Sequence, residues 1–417
     1  MDSTHHLHSN PKGWLLDSAL ASHVDAFVER LRQGRYAQTT IQRYFVCIAH
    51  FARWMNKSRL AVKKLDETAL SRFLDDHLPR CDCPGPVARV YGDLRAACGH
   101  LLRVLRDCGA VAEPAAATSP IDDELLRFDE HMRSVRGLAT KTRSARIRIV
   151  QRLLLERFAG RRVVISALQP ADVRQFIADQ LEHRGTASNA SALASALRAY
   201  FHYRTTCGDR VHALTGVIAS PAHWSLASLP RSLTAAEIAR LLGSFTSELP
   251  SPRRGYAMVR CALDMGLRAS EVAKLALADI DWRSGTVTLR ATKSRREDIL
   301  PLPAATGRAI ANYLRFERPP TTNPAVFVRC KAPRDVPIGV DAVRRVVRDA
   351  YRRIGLTHTR THALRHSLAR RLLEHGSSLK EVADVLRHRS LNTSLIYAKL
   401  DSRRLLAVAL PWPGSAS

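Results

Sequence analysis

The chain has 417 residues, too many for one compact hydrophobic core, and 46% of them are apolar, which supports folded domains rather than disorder. Lys and Arg number 65 against 38 Asp and Glu, a formal charge of +27; a polyanion is the expected partner and nucleic acid the commonest, although a basic enzyme with solvated arginine faces would give the same balance. No apolar run reaches the ~18 residues of a membrane helix, and the polar start MDSTHHLHSNPKGW lacks a secretory segment, so a soluble cytoplasmic protein with no membrane partner is expected.

Helical periodicity opens the chain, in SALASHVDAFVERLR and TTIQRYFVCIAHFARWM. Further on, DHLPRCDCPG offers His77, Cys81 and Cys83 as three ligands of the zinc type. The paired C-x-x-C spacing is missing and no fourth ligand is obvious, so loop thiols are the competing reading and no metal is assigned. The eight cysteines are scattered, which suits reduced thiols better than a disulfide framework.

Two stretches of linker composition, AEPAAATSP and the segment 220–230, divide the chain into 1–117, 118–226 and 227–417. The first two parts resemble each other. Leu65, Leu70 and Phe73 recur as Leu168, Val173 and Phe176, and Leu94-Arg95-Ala96 recurs as Leu197-Arg198-Ala199 at the same offset. The helices ahead of them also match in order, with IDDELLRFDEHMRSVR and KTRSARIRIVQRLLLERF in the second part. A constant offset through several elements is the mark of duplication, so two copies of a four-helix module are expected. Each copy starts its second helix with hydroxyl and basic residues: Thr39, Thr40 and Arg43 in the first; Lys141, Thr142, Arg143, Arg146 and Arg148 in the second. Free helix N–H groups and neighbouring guanidiniums suit phosphates, and the denser second cluster is the candidate DNA contact.

The third part begins with helical segments (LTAAEIARLLGSF, PRRGYAMVRCALDMG, RASEVAKLAL) and then changes period. Thr286, Thr288 and Arg290 alternate with Val287, Leu289 and Ala291, a polar turn comes at 294–297, and Ile299–Leu302 forms a second apolar run, together a β-hairpin. In THALRHSLARRLLEHG, His362 and Arg365 are three residues apart on a helix, beside a stripe of Leu364, Leu368 and Leu372. Arg365 at the edge of a core needs an anion, either a distant carboxylate or a bound phosphate. Gly376 closes that helix, Ser378 and Glu381 make a capping box for LKEVADVLRH with Leu379, Val382 and Leu386 inward, and Asn392 can cap a short helix carrying Tyr397.

GLRASEVAKL resembles the first box of the tyrosine recombinase (phage integrase) family, and HALRHSLARRLLEHGSSLKEVADVLRHRSLNTSLIYAKL resembles its second box through to the nucleophile. ATKSRREDILPLP is similar to the family's lysine hairpin. The resemblance implies a mainly α fold: two N-terminal helical SAM-like modules, the second a core-binding domain, then a mostly helical catalytic domain with a small sheet. It implies a catalytic set of Arg268, Lys293, His362, Arg365, His388 and Tyr397, with Glu271 and His366 in support. Tyr397 would be the nucleophile, His362 the general base, Arg268, Arg365 and His388 phosphate donors, and Lys293 the acid for the departing 5′ oxygen. It further implies double-stranded DNA as substrate, a homotetramer on two sites that other recombinases can join, and no metal or nucleotide cofactor at the site. The terminal stretch DSRRLLAVAL is similar to a tail that docks on a neighbouring subunit, with packing in cis as the alternative. In one departure, the Gly that usually precedes the third-element His is Arg387, accommodated if its side chain points outward. A nick-and-seal topoisomerase and a non-catalytic DNA-binding regulator are the competing readings; the intact residue set argues against the latter.

Overall fold

The computed structural model describes residues 9–84, 87–113, 119–159, 161–184, 187–219, 230–290, 297–356, 360–388 and 396–397. They form two compact units, Met1–Glu113 with Leu226–Ser417, and Pro114–Ser225. Among the described residues no helix is long and apolar enough to cross a membrane.

The first unit begins with α1 (Ser9–Leu16), α2 (Val24–Gln33), α3 (Gln38–Lys57), α4 (Glu67–Ser71) and α5 (Tyr91–Asp107). On α3, Ile41, Phe45, Ile48, Ala52 and Met55 fall at helical spacing and are all buried, which makes this helix the spine of the first core. The Phe73 ring meets Phe51 edge-on at 5.0 Å and lies 5.5 Å from Trp54. Arg35 ties this module to the C-terminal part of the same unit, donating to the Pro320 carbonyl at 2.6 Å and pairing with Asp335 at 3.3 Å.

The second unit contains α6 (Pro120–Ser134), α7 (Thr140–Phe158), α8 (Pro170–Arg184), α9 (Ala187–Thr206) and α10 (His212–Gly216). Ser119 and Asp122 close a reciprocal capping box at the start of α6, with Pro120 at the first helical position, where its missing N–H costs nothing. The core is pinned by one buried polar network: Tyr200 donates to Glu124 at 2.9 Å and Arg204 reaches both oxygens of that carboxylate at 3.0 Å. Positions that recur in sequence are buried in both copies, Leu65 with Leu168, Phe73 with Phe176 and Leu94 with Leu197. The copies differ at α4 and its counterpart α8. Whereas α8 runs unbroken, α4 gives way to a π-helical turn, Arg72–His77, and a 3-10 turn, Leu78–Arg80.

The C-terminal part of the first unit is built from α11 (Ala235–Gly243), α12 (Pro252–Asp264), α13 (Ala269–Lys274), α14 (Ala304–Phe316), α15 (Val340–Arg353), α16 (His362–Glu374) and α17 (Leu379–Val385). A three-stranded antiparallel sheet, β1 (Ile280–Asp281), β2 (Thr286–Leu289) and β3 (Asp298–Pro301), lies in the order β1-β2-β3. The expected hairpin is β2 with β3, in the register Val287 opposite Leu300; Val287, Leu289 and Leu300 face the core while Ile299 faces out. The extra strand β1 is two residues long, too short to leave a period-two signature. The predicted turn with Lys293, the Asn392 cap and the DSRRLLAVAL tail lie outside the described residues.

Candidate active site

Gly266, just past the end of α12, has φ +61, and a Cβ there would lie 2.8 Å from Leu386 and 3.0 Å from Leu368, so both conformation and space demand glycine. The turn launches Arg268, which stands at the N-cap of α13 with extended backbone. Glu271, one turn on, accepts from the Arg268 backbone N–H at 2.9 Å and from its guanidinium at 2.6 Å. Arg365, on the first turn of α16, is 5% exposed. Its guanidinium is held by two main-chain carbonyls, donating to Gly266 at 2.5 Å and to Leu386. A buried arginine held by neutral carbonyls keeps an uncompensated charge. Burial, then repulsion from Arg268 and Arg387, pushes its pKa down to about 9, and it remains cationic at neutral pH.

The α17 helix is capped as its sequence suggests: Ser378 and Glu381 exchange bonds at 3.2 and 2.6 Å, and Val382 and Leu386 are fully buried. Its C-terminus is a Schellman motif, with His388 N–H on the Ala383 carbonyl and Arg387 N–H on that of Asp384, both at 2.9 Å. This geometry puts Arg387 at φ +53, the left-handed region that favours glycine. The expectation that its side chain points outward is wrong. Arg387 is 8% exposed, pairs with Glu271 at 2.9 Å and reaches the Gly266 carbonyl at 3.3 Å. The left-handed turn directs it inward, and the ion pair offsets the strain that a glycine would avoid. Burial would push the Glu271 carboxyl up, but Arg387 and then Arg268 hold it below its usual range.

Tyr397 is 1% exposed. Its Oη is 2.8 Å from Nδ1 of His366, and its ring stacks parallel to His388 at 6.2 Å. His362, expected to face the phenol, is instead exposed at the start of α16, with its ring 6.4 Å from that of His366. The two histidines share a helix face, and the reason is position along it: His366 lies one turn inside the helix, level with the cluster of Tyr397, Leu368 and Leu386. Burial, then the neighbouring His362 and Arg365, lowers His366 to about 4; burial, then Arg365 and Arg268, does the same for His388. Both imidazoles are neutral at physiological pH, while burial raises the Tyr397 phenol.

Arg268, His362 and Arg365 line one cleft of about 190 Å³, with Ser270, Arg344 and Thr361 on its walls. Behind Arg268, the Glu271 carboxylate is shared with Arg387, so that one carboxylate answers the guanidiniums of Arg268, Arg365 and Arg387. The excess positive charge, two forked donors and a phenol hydrogen-bonded to a neutral imidazole suit a phosphodiester and a nucleophile.

The candidate DNA contacts on α7 fall into two groups. Lys141 and Thr142 are exposed at a helix start that no side chain caps, and Arg148 is exposed two turns on, its Nε donating to the Ser144 carbonyl at 3.2 Å. Arg143 pairs with Asp129 at 3.4 Å and Arg146 donates to Ser195 at 3.2 Å, so both are engaged within the unit. In the first module Arg43 is likewise paired, with Asp93 at 3.2 Å. Elsewhere in that module His77, Cys81 and Cys83 do converge, and His50 of α3, which no local spacing marks in the sequence, joins them.

The phage integrase family model matches residues 231–404. The protein named integrase/recombinase y4rA of Sinorhizobium fredii is 33% identical over 405 residues, 96% of each chain. Tyrosine recombinase XerC of Pseudomonas aeruginosa is 30% identical over 288 residues, 68% of this chain and 92% of its own length. Among solved structures, the XerH site-specific recombinase bound to its palindromic difH substrate, a post-cleavage complex, superposes with a TM-score of 0.55 at 19% identity, over 75% of this chain and 94% of that one. With this fold, this cleft and a relative matched from end to end, the chain belongs to the phage integrase family of tyrosine recombinases.

Proposed function

We propose that the chain recombines DNA at specific sites by cleaving and rejoining strands through a 3′-phosphotyrosyl intermediate. Tyr397 Oη attacks the scissile phosphorus, the bond from phosphorus to the 5′ oxygen breaks, and the phenolic proton passes to a base; religation runs the same steps in reverse, which conserves the phosphodiester energy. Arg268 and Arg365 donate to the non-bridging oxygens, where the transition state gathers charge. His388 adds a donor, since a neutral imidazole still carries one N–H. Lys293 supplies the proton to the departing 5′ oxygen. The observation that carries this reading is a buried tyrosine bonded to a neutral histidine and within the field of Arg365, a buried cation that lines a cleft with Arg268.

That hydrogen bond favours His366 as proton acceptor, with His362 at the cleft wall beside the phosphate. A base lowered to about 4 stays neutral in mild acid. Single-turnover cleavage is therefore expected to hold within about two-fold from roughly pH 7.5 to 5.5, where a base near 6.5 would lose about ten-fold. His366→Gln is expected to slow cleavage about 100-fold and His362→Gln less. An acid limb centred near the ordinary imidazole pKa, removed by His362→Gln, would return the role to His362.

Residues 1–117, 118–226 and 227–417 are proposed as an accessory module, a core-binding module with Lys141, Thr142 and Arg148 on phosphates, and the catalytic domain. The assembly proposed is a homotetramer on two sites. Incubation with nicked duplexes of randomised sequence, followed by denaturing electrophoresis, is expected to trap a covalent protein–DNA adduct. Relaxation of supercoiled circles with no exchange between two selected sites would indicate a nick-and-seal enzyme instead.

A further inference from the structure

In the first module, four side chains from three chain segments aim their donor atoms at one point. His50 comes from the middle of α3, His77 from the last residue of the π-helical turn, and Cys81 and Cys83 from the loop beyond it. Their Nε2, Nε2, Sγ and Sγ atoms all lie within 4.8 Å of one another. The two Nε2 atoms are 3.4 Å apart, Cys81 Sγ is 3.3 Å from His50 Nε2, and Cys83 Sγ is 3.8 Å from His77 Nε2. A tetrahedron with Zn–N of about 2.05 Å and Zn–S of about 2.3 Å has N···N edges of about 3.3 Å and N···S edges of about 3.5 Å. We propose that His50, His77, Cys81 and Cys83 form a structural zinc site that fastens the loop after α4 and its π turn to α3.

Hydrogen bonding alone accounts poorly for the convergence. His50 is completely buried, and its Nδ1 lies 2.9 Å from the Ala88 carbonyl, which can only accept, so Nδ1 carries the proton and Nε2 presents a lone pair. One lone pair takes one proton, yet both His77 Nε2 and Cys81 Sγ crowd it. A cation at the centre satisfies all four donors together. The bond from Nδ1 to a main-chain carbonyl is also the usual means by which a ligating imidazole is fixed in tautomer and orientation. His77 is held in turn, stacked on Phe73 at 5.5 Å with a 22° tilt. Two thiolates and two neutral imidazoles neutralise a divalent ion, and N₂S₂ donors in a tetrahedron select zinc over magnesium or calcium. Half-buried His77 and Cys81 leave a path for the ion, while His50 and Cys83 close the inner side.

The contrast between the copies supports the assignment. In the second, α8 is regular from Pro170 to Arg184, and the sequence from 114 to 206 has no cysteine. In the first, the helix is deformed by the π turn that delivers His77, and the two cysteines come directly after it. π turns inside helices recur at functional sites because the extra residue per turn re-aims the side chains beyond it.

The test uses the full chain, expressed with zinc in the medium and desalted without chelator. Elemental analysis is expected to find about one zinc ion per chain, released when the thiols are blocked with a mercurial. Cobalt exchanged for zinc is expected to show tetrahedral ligand-field bands and a thiolate charge-transfer band. Cys81→Ser with Cys83→Ser is expected to cut zinc at least ten-fold, whereas Cys108→Ser, at an exposed thiol outside the cluster, keeps it. Fewer than about 0.1 zinc per wild-type chain, or undiminished zinc in the double variant, overturns the proposal. Zinc content and cobalt spectrum of the wild-type chain decide the matter even if the double variant fails to fold. Neither readout depends on strand cleavage.

Discussion

Tyr397→Phe is expected to bind duplex DNA like the wild-type chain and to form no covalent adduct. The substitution removes one oxygen. The phenyl ring still fills the pocket formed with Leu368, Val382 and Leu386 and still stacks against His388. The fold loses one hydrogen bond, to Nδ1 of His366, worth about 1 kcal/mol net, so thermal stability falls only slightly. The reaction would lose the atom proposed to bond to phosphorus, and no neighbouring group replaces it: His366 and His388 are neutral imidazoles and Arg365 is a cation. Adduct formation on a nicked duplex should therefore drop below detection while the binding isotherm is unchanged. An adduct from this variant in wild-type yield would remove Tyr397 from the nucleophile's role, and the mechanism with it.

Arg268→Lys is expected to slow cleavage about 100- to 1,000-fold, equivalent to roughly 3–4 kcal/mol of barrier, with little change in affinity or in its salt dependence. The guanidinium of Arg268 gives Nη1 to Glu271 at 2.6 Å and has further N–H groups to turn toward the cleft. A lysine in its place is a single point of charge; held by Glu271, it cannot also present a parallel pair of donors to a phosphate. One phosphate contact is a small part of the counterion release that drives binding by a chain of charge +27. Arg365→Lys is a less clean test. Arg365 ties the Gly266 and Leu386 carbonyls together, and an unforked side chain cannot bridge both, so the variant disturbs the packing as well as the chemistry. If Arg268→Lys weakened binding strongly but spared the rate on saturating DNA, Arg268 would be a docking residue.

Much of the fold and most of the site were legible in the sequence, for identifiable reasons. Capping boxes and helix ends are local rules, so the Ser378–Glu381 box, the Gly376 stop and the inward Val382 and Leu386 were readable one residue at a time. Arg268, Glu271, Arg365, His388 and Tyr397 were legible because GLRASEVAKL and HALRHSLARRLLEHGSSLKEVADVLRHRSLNTSLIYAKL resemble the family's boxes, and Arg268 meets Glu271 while Tyr397 stacks on His388. The features that escaped depend on direction, which spacing does not encode. Arg387 was expected to point outward, but the sign of φ at the helix end turns it onto Glu271. His362 and His366 are four residues apart and nearly equivalent by phase, and only the placement of Tyr397 separates them. His50 sits 27 residues before His77 on the buried face of a long helix, where its neighbours are core residues and nothing in a local pattern marks it as a ligand.

The seclusion of Tyr397 bears on how this enzyme avoids damage to DNA it merely visits. The phenol of a residue only 1% exposed cannot attack a phosphate in a glancing collision. It has to be uncovered first, with the bond to His366 kept so that the proton has an acceptor. Fidelity then has a temporal component alongside base reading: a duplex that leaves before the phenol is released departs intact, and only one that lingers is cut.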